Sequence, residues 1–130
     1  MPEKITWEAI NASGNALLSP AYKSNGHVFT SGQVGVDAQG KLGPDASTQT
    51  ELAILNLKKV LEASGSSLDK VLKVLLFIKN REDAAAVNAV YKKYFTTQPG
   101  RSCIMVDFPN PDILVELECI AEYEDLSSKL

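Results

Sequence analysis

The sequence predicts an α+β fold in which one β-sheet carries two helices on one face. Three observations lead there. Two stretches repeat their apolar residues at helical spacing, five runs rich in Val, Ile, Phe and Thr surround them, and Gly, Pro and Asn separate the pieces. Strands and helices alternate in two rounds. The chain has 130 residues, the usual size of one compact domain, so residues 1–130 are read as a single domain without space for a separate cofactor-binding one. With 45% hydrophobic and 22% charged residues, the composition is that of a chain able to bury a core.

Taken in order, Ile5 to Ile10 and His27 to Val36 read as strands. Residues 45–64 place Ala53, Ile54, Leu57, Val60 and Leu61 at three-and-four spacing, the stripe of an amphipathic helix. Asp45 or Ser47 serves as its N-cap and Gly65 as its stop. Val71 to Lys79 is the next strand. Its Val74 to Ile78 stretch is apolar at every position, which suits a central strand covered on both sides. The second helix carries Ala84, Val87, Tyr91, Tyr94 and Phe95, opens after Asn80–Asp83 and closes before Pro99-Gly100. Arg101 to Phe108 and Ile113 to Tyr123 are the last strands, and Pro109–Asp112 between them reads as a hairpin turn. Ser127–Leu130 has the look of a frayed tail. On the last strand, alternation sends Ile113, Val115, Leu117, Cys119 and Ala121 to one face and Leu114, Glu116, Glu118, Ile120 and Glu122 to the other. This second face is neither core nor plain surface, and a sheet face of that kind is expected to be covered by another copy of the chain.

Several function classes are disfavoured. Sixteen acidic against thirteen basic residues give a formal charge of -3, and the lysines are scattered or paired, as at Lys58-Lys59 and Lys92-Lys93. A nucleic-acid surface would need a concentrated basic patch. Cys103 and Cys119 show no CxxC spacing, and with the lone His27 they are too few for a structural zinc site, although one disulfide between them stays open. The sequence lacks a Walker-type phosphate loop, a GxGxxG fingerprint and a GxSxG elbow. The segment Met1 to Glu8 shows neither a signal core nor an Arg-rich presequence, so the cytoplasm is the default compartment, with a mitochondrial location left open.

Few side chains remain that carry chemistry. Arg101 and Cys103 open a strand and point to one face, after a Pro99-Gly100 pair that allows close approach of another chain or a ligand. Arg101 reads either as a surface ion pair or as a bidentate clamp on a carboxylate, each charge-assisted bond being worth about 1.5–3 kcal/mol. Glu118 shares its face with Leu114 and Ile120, a partly dehydrated place where a carboxyl pKa would rise toward useful proton transfer; the alternative is a solvated glutamate, the reading given to Glu122. Glu116 is ambiguous, with pairing to a lysine or an arginine in the sheet as one reading. Ser31-Gly32-Gln33 follows a strand, and its hydroxyl and amides could hold a small anion, against the commoner outcome of a serine satisfied by its neighbours. His27 is read as structural or solvated. Cys103 acts as a nucleophile only beside a base that lowers its pKa.

Taken together, Phe29-Thr30-Ser31-Gly32-Gln33-Val34, Val87-Asn88-Ala89-Val90-Tyr91, Pro99-Gly100-Arg101-Ser102-Cys103 and Val115-Glu116-Leu117-Glu118-Cys119-Ile120-Ala121 resemble the Rid (reactive intermediate deaminase, YjgF) family in order and spacing, from about Leu18 to Glu122. The resemblance implies a chorismate-mutase-like mixed sheet, a homotrimer with its sheets facing inward, and pockets between subunits. It implies hydrolysis of 2-iminopropanoate or 2-iminobutanoate, and their enamine tautomers, to the 2-oxo acid and ammonia, without a cofactor or metal. By position, Arg101 would bind the substrate carboxylate and Glu118 would hold and polarise the attacking water. Ser31 and the main chain of Gly32 and Cys103 would line the pocket, and Asn88 would support it. Two departures bear on substrate size: Ser19-Pro20-Ala21-Tyr22 stands where the family often has Gly-Pro-Tyr, and the loop before Pro99 is short. The rival expectations are a regulatory trimer that binds a small carboxylate without turnover and, further off given the charge, an endoribonuclease or translation inhibitor.

Overall fold

The computed structural model describes residues 1–124, so the expected tail at Ser127–Leu130 lies outside the described residues. Strands β1 (Glu3–Ile5), β2 (Ala21–Ser24), β3 (His27–Thr30) and β4 (Gln33–Val34) precede helix α1 (Ala46–Ala63). Then follow β5 (Val71–Ile78), α2 (Ala84–Tyr94), β6 (Gly100–Met105) and β7 (Val115–Glu122). The sheet order is β1-β2-β3-β7-β5-β6, with β4 also on β7; β5 and β6 are parallel and the other pairs antiparallel, which makes the sheet mixed.

The expected strand over Ile5 to Ile10 is shorter than the sequence indicated. The hydroxyl of Thr6 accepts from the Ala9 amide at 3.2 Å, and Glu8–Ile10 winds into a 3₁₀ turn that ends at left-handed Asn11 (φ 55°). β2 was not anticipated. It pairs with β3 across Asn25-Gly26, whose positive φ angles of 51° and 84° suit a tight hairpin, and Asn-Gly is the strongest short hairpin signal a sequence carries. The expected strand over His27 to Val36 is interrupted between Thr30 and Gln33.

Both helices form where the apolar stripes place them. Asp45 caps α1, its carboxylate accepting from the Thr48 amide at 2.8 Å, and Gly65 (φ 79°) ends it. The stripe Ala53, Ile54, Leu57, Val60 and Leu61 is buried against the sheet. On α2 the buried residues are Val87, Val90 and Tyr91. Gln49, 2% exposed, cross-links the loops beyond α1: its amide nitrogen donates to Gly43 O and Asp112 O, both at 3.0 Å, and its oxygen accepts from the Leu114 amide at 2.8 Å.

The expected hairpin between the last two strands does not form. β5 lies between β6 and β7 and pairs with both. The crossover through α2 lays β6 parallel beside β5, and β5, apolar throughout from Val74 to Ile78, gains a neighbour on each edge, so Pro109–Asp112 bridges past the end of β5 instead of turning a hairpin.

One sheet face is closed. Val28, Val74, Leu76, Ile78, Val115, Leu117 and Ala121 are fully buried or nearly so beneath the helices. The opposite face is open in the single chain: Phe29 is 48% exposed, Ile104 44% and Tyr22 43%, and Leu75, Phe77 and Ile120 are half-buried. β5 is therefore covered on one side, not both.

Candidate functional site

The residues singled out in the sequence fall into two groups on opposite faces of the sheet. The first is built from α2 and the edge strand β6. Asn88 and Tyr91, three apart, share one helix face. In the parallel ladder Arg101 is level with Val74 and Cys103 with Leu76, so both project to the helix side. There Arg101 Nη1 donates to Asn88 Oδ1 at 2.8 Å, and the guanidinium carbon lies 4.7 Å from the centre of the Tyr91 ring. Tyr91 is in turn stacked on Phe95, with ring centres 4.4 Å apart and planes 28° from parallel. The partner of Arg101 is thus an amide oxygen and a ring face, not the carboxylate of a surface ion pair. Arg101 is exposed, so most of its five-donor fork remains available for a planar anion. Cys103 is an exposed free thiol on the same side of β6.

The second group lies where β3 passes into β4 along β7. The ladder runs from Phe29 opposite Ile120 to Gln33 opposite Leu117, so Thr30, Ser31 and Gly32 face only Glu118 and Cys119, and the chain bulges. The Thr30 hydroxyl fills the gap by accepting from the Cys119 amide at 3.0 Å. Ser31 is tied back to the preceding loop: its hydroxyl donates to Ser19 O at 2.6 Å and its amide to Pro20 O at 2.9 Å. Its hydroxyl and amide are therefore engaged within the chain, the commoner of the two outcomes the sequence allowed. Gly32 faces the Glu116 carboxylate so closely that an added Cβ would collide with it. Burial, and next the charge of Glu118, push the Glu116 carboxyl above its ordinary value.

Glu118 lies on the open face, level with Leu75, in a shallow concavity of about 250 Å³ lined also by Lys73, Cys119 and Ile120. Larger concavities exist, about 590 Å³ between Trp7 and Asn56 and about 530 Å³ around Lys41 and Pro111, but neither is lined by any of these candidates. Arg101 and Glu118 thus face away from each other, with β5 between their strands. Within one chain the structure joins Arg101, Cys103 and Asn88, and separately Ser31, Gly32 and Glu118.

The remaining candidates are accounted for locally. Cys119 is buried, and burial, opposed by its hydrogen bond with Thr30, pushes its thiol up to about 12, so it is an inert core group. Both cysteines are free, on strands that β5 separates, and the disulfide that the sequence left open is not formed. The His27 ring lies 3.2 Å from Asn25 O, at the hairpin turn. Glu122 is exposed, as a solvated strand glutamate should be. Among the described residues, no three of His, Cys, Asp or Glu are grouped to hold a metal ion. Two placements that the sequence did not give are those of Tyr91, assigned there to the core, and of Glu116, for which a cation partner in the sheet was one option. The three-residue spacing of Asn88 and Tyr91 was a signal for the first; the packing of Gly32 on Glu116 joins segments far apart in sequence and has no local signal.

Comparison with known proteins places the chain among relatives. The family model described as Endoribonuclease L-PSP matches residues 8–123. The mitochondrial protein mmf1 of Schizosaccharomyces pombe is 41% identical over 126 residues, 93% of this chain and 77% of its own. The 2-iminobutanoate/2-iminopropanoate deaminase of Salmonella typhimurium is 38% identical over 99 residues, 72% of this chain and 77% of its own. The crystal structure of Escherichia coli TdcF with bound serine has a TM-score of 0.80 to this fold at 33% identity, over 93% of this chain and 98% of that one.

Proposed function

Since the chain belongs to the Rid/YjgF family, that of the endoribonuclease L-PSP model, we propose that it hydrolyses reactive 2-imino acids and their enamine tautomers, with 2-iminopropanoate and 2-iminobutanoate as substrates. The products are pyruvate or 2-oxobutanoate and ammonia. The observation that carries this reading is Arg101, held by Asn88 and Tyr91 with most of its donors open, a posture suited to a planar carboxylate. The serine bound to the Escherichia coli relative carries the same kind of α-carboxylate.

In this reading Arg101 fixes the carboxylate in a bidentate pair and Glu118 accepts a hydrogen bond from a water molecule. As that water attacks the imine carbon, Glu118 takes its proton and returns one to nitrogen, and the tetrahedral carbinolamine collapses to the 2-oxo acid with loss of ammonia. Positioning the two reactants supplies orientation, and general acid–base help typically adds about 10²–10⁴-fold. The main chain of Gly32 and Cys103 lines the pocket, and Ser31 and Asn88 support it. Because Arg101 and Glu118 face opposite ways in one chain, the pocket is formed between copies, in a homotrimer whose open faces turn inward. The half-exposed Phe29, Tyr22 and Ile104 supply the apolar contact. We place the protein in the cytoplasm; one relative is mitochondrial, and cell fractionation decides. A net charge of -3 weighs against RNA as substrate.

The test couples a threonine dehydratase to the protein with semicarbazide present and follows trapping of the nascent imine. Wild type should suppress trapping, while folded Arg101→Ala and Glu118→Ala should lose at least 10²-fold of that effect. If wild type behaves like the two variants, the deaminase reading fails and binding of a small carboxylate without turnover replaces it.

A further inference from the structure

Tyr91 has a peculiar standing in the fold. It is 9% exposed, yet its hydroxyl has no hydrogen-bond partner among the described residues, so the polar tip does not explain the choice of tyrosine over another large core residue. What the residue does offer is its ring face. One side of α2 carries Asn88 and Tyr91, and Phe95 follows as the C-cap; Phe95 fixes the ring by stacking and Asn88 stands one turn away. The Arg101 guanidinium lies over that ring at 4.7 Å while bonding to Asn88 at 2.8 Å. β6 is exposed along its whole length, and an arginine there would otherwise spread over many rotamers. The guanidinium is thus held by two contacts from neighbouring turns of α2.

Resting on the carboxylate-clamp reading above, we propose that Tyr91 is a positioning residue for the reaction: its ring face is the platform that, with Asn88, holds Arg101 ready for the substrate carboxylate. The platform works through Arg101 and touches no reacting atom. Its contribution belongs to binding of the anionic end, which is made alike in ground and transition states, so its removal raises KM and leaves kcat nearly alone. A cation–π contact at an exposed site corresponds to about a 2- to 5-fold change in affinity.

Two readouts test this. In ¹⁵N-labelled wild type without substrate, the Arg101 Nε–H resonance should be shifted upfield by the ring current of Tyr91. Tyr91→Phe, which keeps the ring, should keep that shift and a KM near that of wild type. Tyr91→Leu should move the resonance to the unshifted position and raise KM for 2-iminobutanoate about 2- to 5-fold. An unshifted wild-type resonance overturns the proposal without any variant having to fold. A KM rise equal in Tyr91→Phe and Tyr91→Leu overturns it too, since the hydroxyl would then be the active part. Because the resonance is read without turnover, failure of the deaminase reading shows separately; in that event the dissociation constant for 2-oxobutanoate takes the place of KM, with the same expected ratio.

Discussion

Glu116 is half-buried between Gly32 and the open face, and burial followed by the charge of Glu118 raises its carboxyl pKa from 4.5. A group whose folded pKa is raised supports the fold fully below its unfolded pKa. That support is lost as pH climbs through the folded value, because the unfolded chain ionises first. Glu116→Gln should therefore be more stable than wild type at pH 7, with the gap closing below about pH 4.5. Urea melts of both proteins at pH 7 and pH 4 check this; a gap that widens in acid would contradict the assignment. Residue by residue, side-chain type and strand position were enough to place Arg101 with Cys103 on one face and Glu118 on a mixed one. The surroundings of Tyr91 and Glu116 could not be placed so, because they depend on an arginine ten residues on and on a glycine in the bulge between β3 and β4.

Among the elements, α1 was the most legible, since its stripe, its Asp45 cap and its Gly65 stop are all local signals. The strands were legible in kind but not in partner. Val74 to Ile78 announced a central strand, yet nothing local said that β6 would lie parallel to it on the far side from β7; that follows from the α2 crossover, a property of topology. The Asn25-Gly26 hairpin was available in the sequence and passed over. Gln49 looked like an ordinary helix residue. Buried at the N-terminal end of α1, it holds Gly43, Asp112 and Leu114 together, and Gly35 packs so closely on its backbone that a Cβ there would collide. Gln49→Leu keeps the side-chain bulk but removes the partner of one part-buried amide and of two carbonyls, so it should cost about 1–3 kcal/mol in chemical denaturation. A loss under about 0.5 kcal/mol, the usual range for a plain surface substitution, would show that the cross-link does not hold these loops.

At the scale of the whole molecule, the open sheet face and the divided site have one explanation. Arg101 and Glu118 point in opposite directions in one chain; under the proposed function a neighbour supplies the missing half of the site, and the apolar open face is the surface that would bring neighbours together. Alternation along β7 foretold the mixed face. The separation of Arg101 from Glu118 needed the strand order. The most direct measurement of this account refolds inactive Arg101→Ala together with inactive Glu118→Ala in equal amounts and assays imine hydrolysis. Sites drawing Arg101 from one copy and Glu118 from the next should recover about a quarter of wild-type activity, because one in four random pairings joins two intact halves. No recovery from a mixture shown to exchange subunits would contradict a site shared between chains.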